Sequence, residues 1–320
     1  MSNFRVTSSG LNLRSFGEVT PDNIIAVLPQ GQIVTRLGSE TDSEKWWRVQ
    51  TVVGENTLEG FVSKSYLSPL IELTEKVLWV VGYDDLDWFV DKAVKVKATA
   101  VAIRTSNDDL EQAISIFHSK AIKVYGWRWP LAQKKDSKAT RKLGTQEEAA
   151  RVVALIDKGL DGYYVDPECD NPADSNCWDK NGLETLAEEF CETITGKLAG
   201  KPFGTTSHFR GKATFGKLPW KTFFKFSNVF LPQAYWKASF GIIGSGKPDE
   251  NYRRSLDMWE TTGAPRDKIV PMAGELEFST PAQIKEYAQE AQKQGVASLH
   301  FYTATKNVKS EVWDALAKLG

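Results

Sequence analysis

Asp166 and Glu168 stand two residues apart at the end of the short run DGYYVDPE, residues 161–168. In an extended strand alternate side chains share a face, so both carboxylates point the same way, with Tyr164 behind them. Like charges on one face repel, and an acid set beside another holds its proton to higher pH, so the arrangement suits proton transfer better than packing. Glycoside hydrolysis needs such a pair: one carboxyl protonates the leaving oxygen, and the other stabilises or attacks the cation that develops.

Distant side chains act together only if the fold gathers them. Beyond a short linker at 71–76, residues 77–320 alternate between strand-like and helix-like runs through eight rounds. The strand-like runs are KVLWVVGYD, TAVAIRT, IKVYGWRW, DGYYVDPE, KPFGTTSH, NVFLPQAYW, DKIVPMAGE and ASLHFYT. Helical patterns follow most of them, the fifth a weak one near WKTFFKF. Thr145 with Glu148 and Thr280 with Gln283 fit capping boxes, Pro281 suits a first helical position, and Gly159, Gly263 and Gly295 fit helix stops. The alternation predicts a (β/α)8 TIM barrel. An open doubly wound sheet fits less well, because no GxGxxG follows the first strand.

In such barrels the site lies at the C-terminal ends of the strands. Outward strand residues face helices and should be apolar, so the polar member of each alternation points inward. Strand one then offers Asp84 and strand two Arg104. Strand three ends in Trp127, Arg128 and Trp129, and strand four in Tyr164, Asp166 and Glu168. Strand five ends near Ser207 and His208, and strand six gives Gln233 and Tyr235, with Trp236 next. Strand seven ends at Glu275, and strand eight gives His300 and Tyr302. Aromatic faces stack on sugar rings, so Trp127, Trp129, Trp236 and Tyr302 are expected substrate contacts, with Asp84, Arg104 and Gln233. Arg104 is also a charge partner for the acids, and Tyr164 is expected to fill the barrel.

The rest of the composition narrows the class. The 320 residues are 41% apolar, enough for a substantial core, and the net charge of −1 argues against nucleic acid. No apolar run approaches the roughly 20 residues of a membrane span, and MSNFRVTSSG has no secretory apolar core. The expectation is therefore synthesis in the cytoplasm, without membrane insertion. Cys169, Cys177 and Cys191 are too few for a disulfide framework. Cys169 and Cys177 bracket DNPADSN and could close a loop, although free thiols are the expectation on compartment grounds. With three histidines and no HExxH or CxxC spacing, no metal or cofactor is expected.

Residues 1–70 read as a small all-β domain of short runs between turn residues. GLNLRS, Gly31 in LPQGQIV, Trp46–Trp47 in EKWWRV, EGFV and the closing SYL resemble a bacterial Src-homology-3-type domain. The resemblance implies binding of cell-wall peptides. Of the two tryptophans, one is expected in the core and one exposed. DGYYVDPE is similar to the fourth-strand signature of glycoside hydrolase family 18, D-G-x-D-x-D-x-E, matched at Asp161, Gly162, Asp166 and Glu168 and departing at Tyr164. PQAYW is similar to that family's Q-x-Y, at Gln233 and Tyr235. By this resemblance Glu168 is the general acid, Asp166 orients the substrate's acetamido group as internal nucleophile, and Tyr235 hydrogen-bonds the same group. Glycoside hydrolase family 25, the lysozyme-type muramidases, is similar at Asp84, Asp166, Glu168 and Tyr235 and is often joined to such small domains. WVVGYDD departs from its usual first strand. Barrels with acids on strands four and seven would pair Glu168 with Glu275. The expected function is a modular hydrolase of peptidoglycan or a related N-acetylated polysaccharide. The alternatives are a chitinase-like enzyme and a barrel that binds glycan without cutting it.

Overall fold

The computed structural model describes residues 2–38, 42–70, 72–132, 144–168 and 176–319. The chain divides into two compact units, one built mainly from residues up to Glu72 and one from Leu73 onward.

The first unit is all β: β1 Ser2–Val6, β2 Gly10–Arg14, β3 Ile24–Pro29, β4 Ile33–Arg36, β5 Trp46–Val53, β6 Asn56–Ser63 and β7 Leu67–Pro69. These pair antiparallel in the order β3-β2-β6-β5-β4-β1-β7. Alternating residues such as Leu11, Leu13, Val34, Val49 and Val62 face one core, as a period of two requires. Trp46 and Trp47 do not split into core and surface: both are half-buried. Trp47 lies 4.9 Å from the Phe4 ring and 4.3 Å beneath the Arg36 guanidinium.

The second unit holds a curled parallel sheet of seven strands, with helices between them. Its strands are β8 Glu75–Val80, β9 Ala100–Arg104, β10 Lys123–Arg128, β11 Gly162–Val165, β12 Phe203–His208 and β13 Val229–Gln233; a small hairpin, β14 Lys237–Ala238 with β15 Gly241–Ile242, follows, and β16 Ser298–Phe301 completes the sheet. β8 begins inside the stretch expected as a linker. The order is β13-β12-β11-β10-β9-β8-β16. The expected seventh strand is not a regular one. Residues 269–273 instead close the ring by single parallel bridges, Phe230 to Ile269, Gln233 to Met272 and Ala273 to Phe301. Pro271 lies in the middle of that segment and has no N–H to give a ladder.

The helices are α1 Leu86–Lys95, α2 Leu110–Ser119, α3 Thr145–Asp157, α4 Glu184–Leu198, α5 Trp220–Phe226, α6 Pro248–Thr262, α7 Pro281–Gln294 and α8 Ser310–Ala317. The capping box before α7 is present, with Thr280 and Gln283 exchanging backbone-to-side-chain bonds of 3.0 and 3.3 Å. The one expected at α3 is absent. Glu148 turns inward instead, fully buried, and accepts from Thr105 Oγ1 at 2.6 Å and Tyr163 OH at 3.0 Å. A carboxyl that finds two buried donors gains more there than at an exposed cap. Trp178 and Trp220 are both buried.

Inside the barrel Val77, Trp79, Ala102, Tyr125, Trp127 and Tyr164 pack in one cluster. Tyr164 fills the interior as expected, stacked 5.3 Å from Trp79 and tilted against Tyr125 at 5.1 Å. Below them sits Glu75. Burial opposes its charge, but contacts from His300, from Tyr125 OH at 2.7 Å and from Ser298 Oγ at 2.9 Å outweigh burial and hold the carboxyl down to about 2. The folded-state value lies below the ordinary 4.5, so the stabilisation is complete above that pH and is lost as pH falls toward 2. Glu75→Gln is expected to cost about 3 kcal/mol at neutral pH but only about 1 kcal/mol near pH 3. Denaturant titrations at the two pH values check this, and equal losses would refute it.

Candidate active site

A cavity of about 430 Å³ opens where the barrel strands end. Trp79 and Trp127 form its floor, each about 1% exposed. Their indole N–H groups are satisfied, Trp79 by His300 Nδ1 at 3.0 Å and Trp127 by the Val80 carbonyl at 2.9 Å. Trp129 leans on Trp127 at 4.9 Å and is half-buried, so part of its face meets solvent.

The carboxylates line the same space. Glu168 follows β11, and its Oε1 accepts from Ser207 Oγ at 2.9 Å and from the His208 backbone N–H. His208 thus contributes its backbone. Burial, then Arg210 and Arg254, push its imidazole down to about 4, so the ring is neutral at physiological pH. Asp166 is 8% exposed, and its Oδ2 accepts from Gln233 Nε2 at 3.1 Å. That bond joins the two motifs read separately from the sequence.

Tyr235 and Tyr302 stack 5.4 Å apart with planes 12° from parallel. Burial chiefly raises both phenols. The neighbouring tyrosine and the carboxylates add to this at Tyr235, and the carboxylates do so at Tyr302, so both are O–H donors at neutral pH. The Tyr235 ring needs Gly274, where an added Cβ would lie 2.7 Å from it. Glu275, the next residue, is half-buried, and burial followed by the charge of Glu277 raises its pKa.

Of the residues expected from sequence, Glu168, Asp166, Tyr235, Glu275, Arg104, Trp127, Trp129, Gln233 and Tyr302 line this cavity. Asp84 and Trp236 do not. Asp84 is exposed past the end of β8, where strand alternation no longer applies, and neighbouring Asp85 caps α1 through Trp88 N–H at 3.0 Å. Trp236 alternates outward from Tyr235 and is fully buried, 6.0 Å from Tyr287 on α7. Sequence reasoning missed Trp79, Thr206 and Met272. A rule that sends polar residues inward cannot find an apolar lining, although Trp79 shares its face with Val77. Thr206 is 1% exposed, and among the described residues its Oγ1 makes no hydrogen bond. Asp161, the first acid of the motif, is structural: it accepts from Val124 N–H at 2.8 Å and pairs with His118 at 2.7 Å. Cys177 is disulfide-bonded, which corrects the expectation of free thiols there. Cys191 is free and buried, and Cys169 lies outside the described residues.

The paired sheets and this cavity can be set beside known proteins. Residues 9–68 match the bacterial SH3 domain. No curated relative matches the chain. Among solved structures, the PgaB (BpsB) glycoside hydrolase domain from Bordetella bronchiseptica superposes with a TM-score of 0.55 at 11% identity, over 77% of this chain and 98% of that one. A family GH18 chitinase from Cycas revoluta in complex with allosamidin gives 0.53 at 10% identity, over 77% and 99%. Catalytic domain 2 of the group II chitinase from Ostrinia furnacalis gives 0.51 at 10%, over 78% and 96%. At such identities the likeness is one of fold: a TIM-type barrel follows the SH3 domain.

Proposed function

We propose that the barrel hydrolyses an N-acetylated glycan of the cell-wall type and that the SH3 domain binds the wall. In this reading Glu168 protonates the glycosidic oxygen. Asp166 and Tyr235 hold the acetamido group while its oxygen attacks the anomeric carbon, and water then opens the resulting ring. The observation that carries the reading is the cavity itself, where three carboxylates and five aromatic side chains converge. Aromatic floors accept sugar rings, and acids at the rim supply the proton.

A second reading pairs Glu168 with Glu275 as acid and nucleophile, and it is favoured by Glu275 lining the same cavity. Tyr164, where family 18 has an aspartate, speaks for a third, a barrel that binds without cutting. Incubating purified cell wall and, separately, N-acetylglucosamine oligomers with the protein separates them. New reducing ends, with fragments weighed by mass spectrometry, are expected from the wild type. Glu275→Gln is expected to retain activity to within roughly tenfold, since a missing nucleophile would instead cost on the order of 10³-fold or more. Binding without fragments would leave the inert barrel as the answer.

A further inference from the structure

Arg104 is a cation in a cavity lined largely by acids and aromatic rings. It ends β9, and its guanidinium carbon lies 5.3 Å from the centre of the Trp129 ring. The charged side chains enter the cavity from different strands. The carboxylates come from β11 and from the segment that closes the ring, whereas Arg104 is separated from β11 by the whole of β10. Two strand spacings put those backbones about 10 Å apart. The tryptophan floor lies between the two signs of charge, with Trp127 on β10 and Trp79 on β8. A sugar ring resting on it would meet acids on one side and the guanidinium on the other.

Resting on the carbohydrate reading above, we infer that Arg104 seats a carboxylate carried by the glycan, so that the cavity selects an acidic N-acetylated saccharide over a neutral one of equal length. Three carboxylates repel an anionic ligand, and a cation fixed against Trp129 offsets that repulsion at one point only. The acid must then sit on the sugar that meets β9. A guanidinium presents planar paired donors that match a carboxylate, and stacking on an indole presets its plane. Half-burial strengthens the attraction while leaving the group within reach of the cavity. Two sources supply such a carboxylate: a lactyl ether acid, as on a muramic residue free of peptide, or a uronate.

Binding measured by calorimetry in the Glu168→Gln background tests this without requiring turnover. The ligands are tetrasaccharides of one length: neutral N-acetylglucosamine, peptide-free muramic-containing glycan, its carboxyl-reduced form, and a uronate-containing glycan. The muramic-containing or the uronate-containing ligand is expected to bind roughly tenfold or more tighter than the reduced form, and which of them does so identifies the source of the acid. Arg104→Gln should erase that preference, and Arg104→Lys should restore only part of it. Equal affinities for acidic and reduced ligands, or an equal loss for both in Arg104→Gln, would overturn the inference while leaving hydrolysis of a neutral glycan intact. If no saccharide binds at all, the carbohydrate reading itself fails.

Discussion

Glu168→Gln is expected to lower the rate of glycan cleavage by roughly 10² to 10⁴-fold, the range set by loss of a general acid. Glutamine keeps a carbonyl oxygen where Oε1 now accepts from Ser207 Oγ and the His208 N–H. The side chain should therefore stay in place and the fold should survive. What disappears is the carboxyl proton, and with it the ability to neutralise the leaving alkoxide. Binding of a short soluble oligosaccharide should change little, so the loss should fall on kcat and not on KM. An activated substrate whose leaving group departs without protonation should lose far less in its first step. A uniform loss across both substrates would mean that the variant is misfolded or that another residue is the acid. Retention of more than a tenth of wild-type activity on the natural glycan would remove Glu168 from the mechanism.

How much of this site the sequence discloses depends on what each residue must satisfy. The alternation of strands and helices is a local signal, repeated every thirty or so residues, and it survives in the barrel. The seventh round does not become a regular strand, because Pro271 takes one N–H out of the ladder while the flanking residues still bridge both neighbours. Asp166, Glu168, Gln233 and Tyr235 are legible from motif spacing, since period-two runs at strand ends carry polar groups to one rim. Trp79 is not, because an apolar residue on an inward face reads the same whether it fills the core or floors a cavity. Glu148 reads as a cap because its true partners, Thr105 and Tyr163, lie elsewhere in the chain. Trp236 is drawn to the site by proximity to Tyr235, although its own ring packs against Tyr287 on α7. Ser207 is placed correctly at the end of its strand, but its bond to Glu168 joins two strands and no local pattern announces it.

Asp166→Asn makes the second large demand on the reading. The substitution preserves shape but removes a negative charge from a site that is 8% exposed, where water screens little. It also reverses hydrogen-bond polarity. Gln233 Nε2 donates to Oδ2 at 3.1 Å, so an asparagine must turn its carbonyl oxygen toward Gln233 to keep that bond. Its amide nitrogen, a donor, then points where a carboxylate oxygen accepted. An acetamido N–H seeking an acceptor meets a donor instead, and the positive charge that develops when the acetamido oxygen attacks loses its counter-charge. The expected result is a fall in kcat of roughly 10²-fold or more, with a smaller rise in KM, since ground-state stacking on Trp127 and Trp129 is unaffected. Pairing the change with Gln233→Leu distinguishes the polarity effect from the loss of charge. Freed from Gln233, the introduced amide can turn its oxygen back to the substrate, so the double variant should recover part of the loss, which no merely structural role for Asp166 would allow. A fall of less than threefold in the single variant would sink the acetamido route and leave Glu275 as the partner of Glu168.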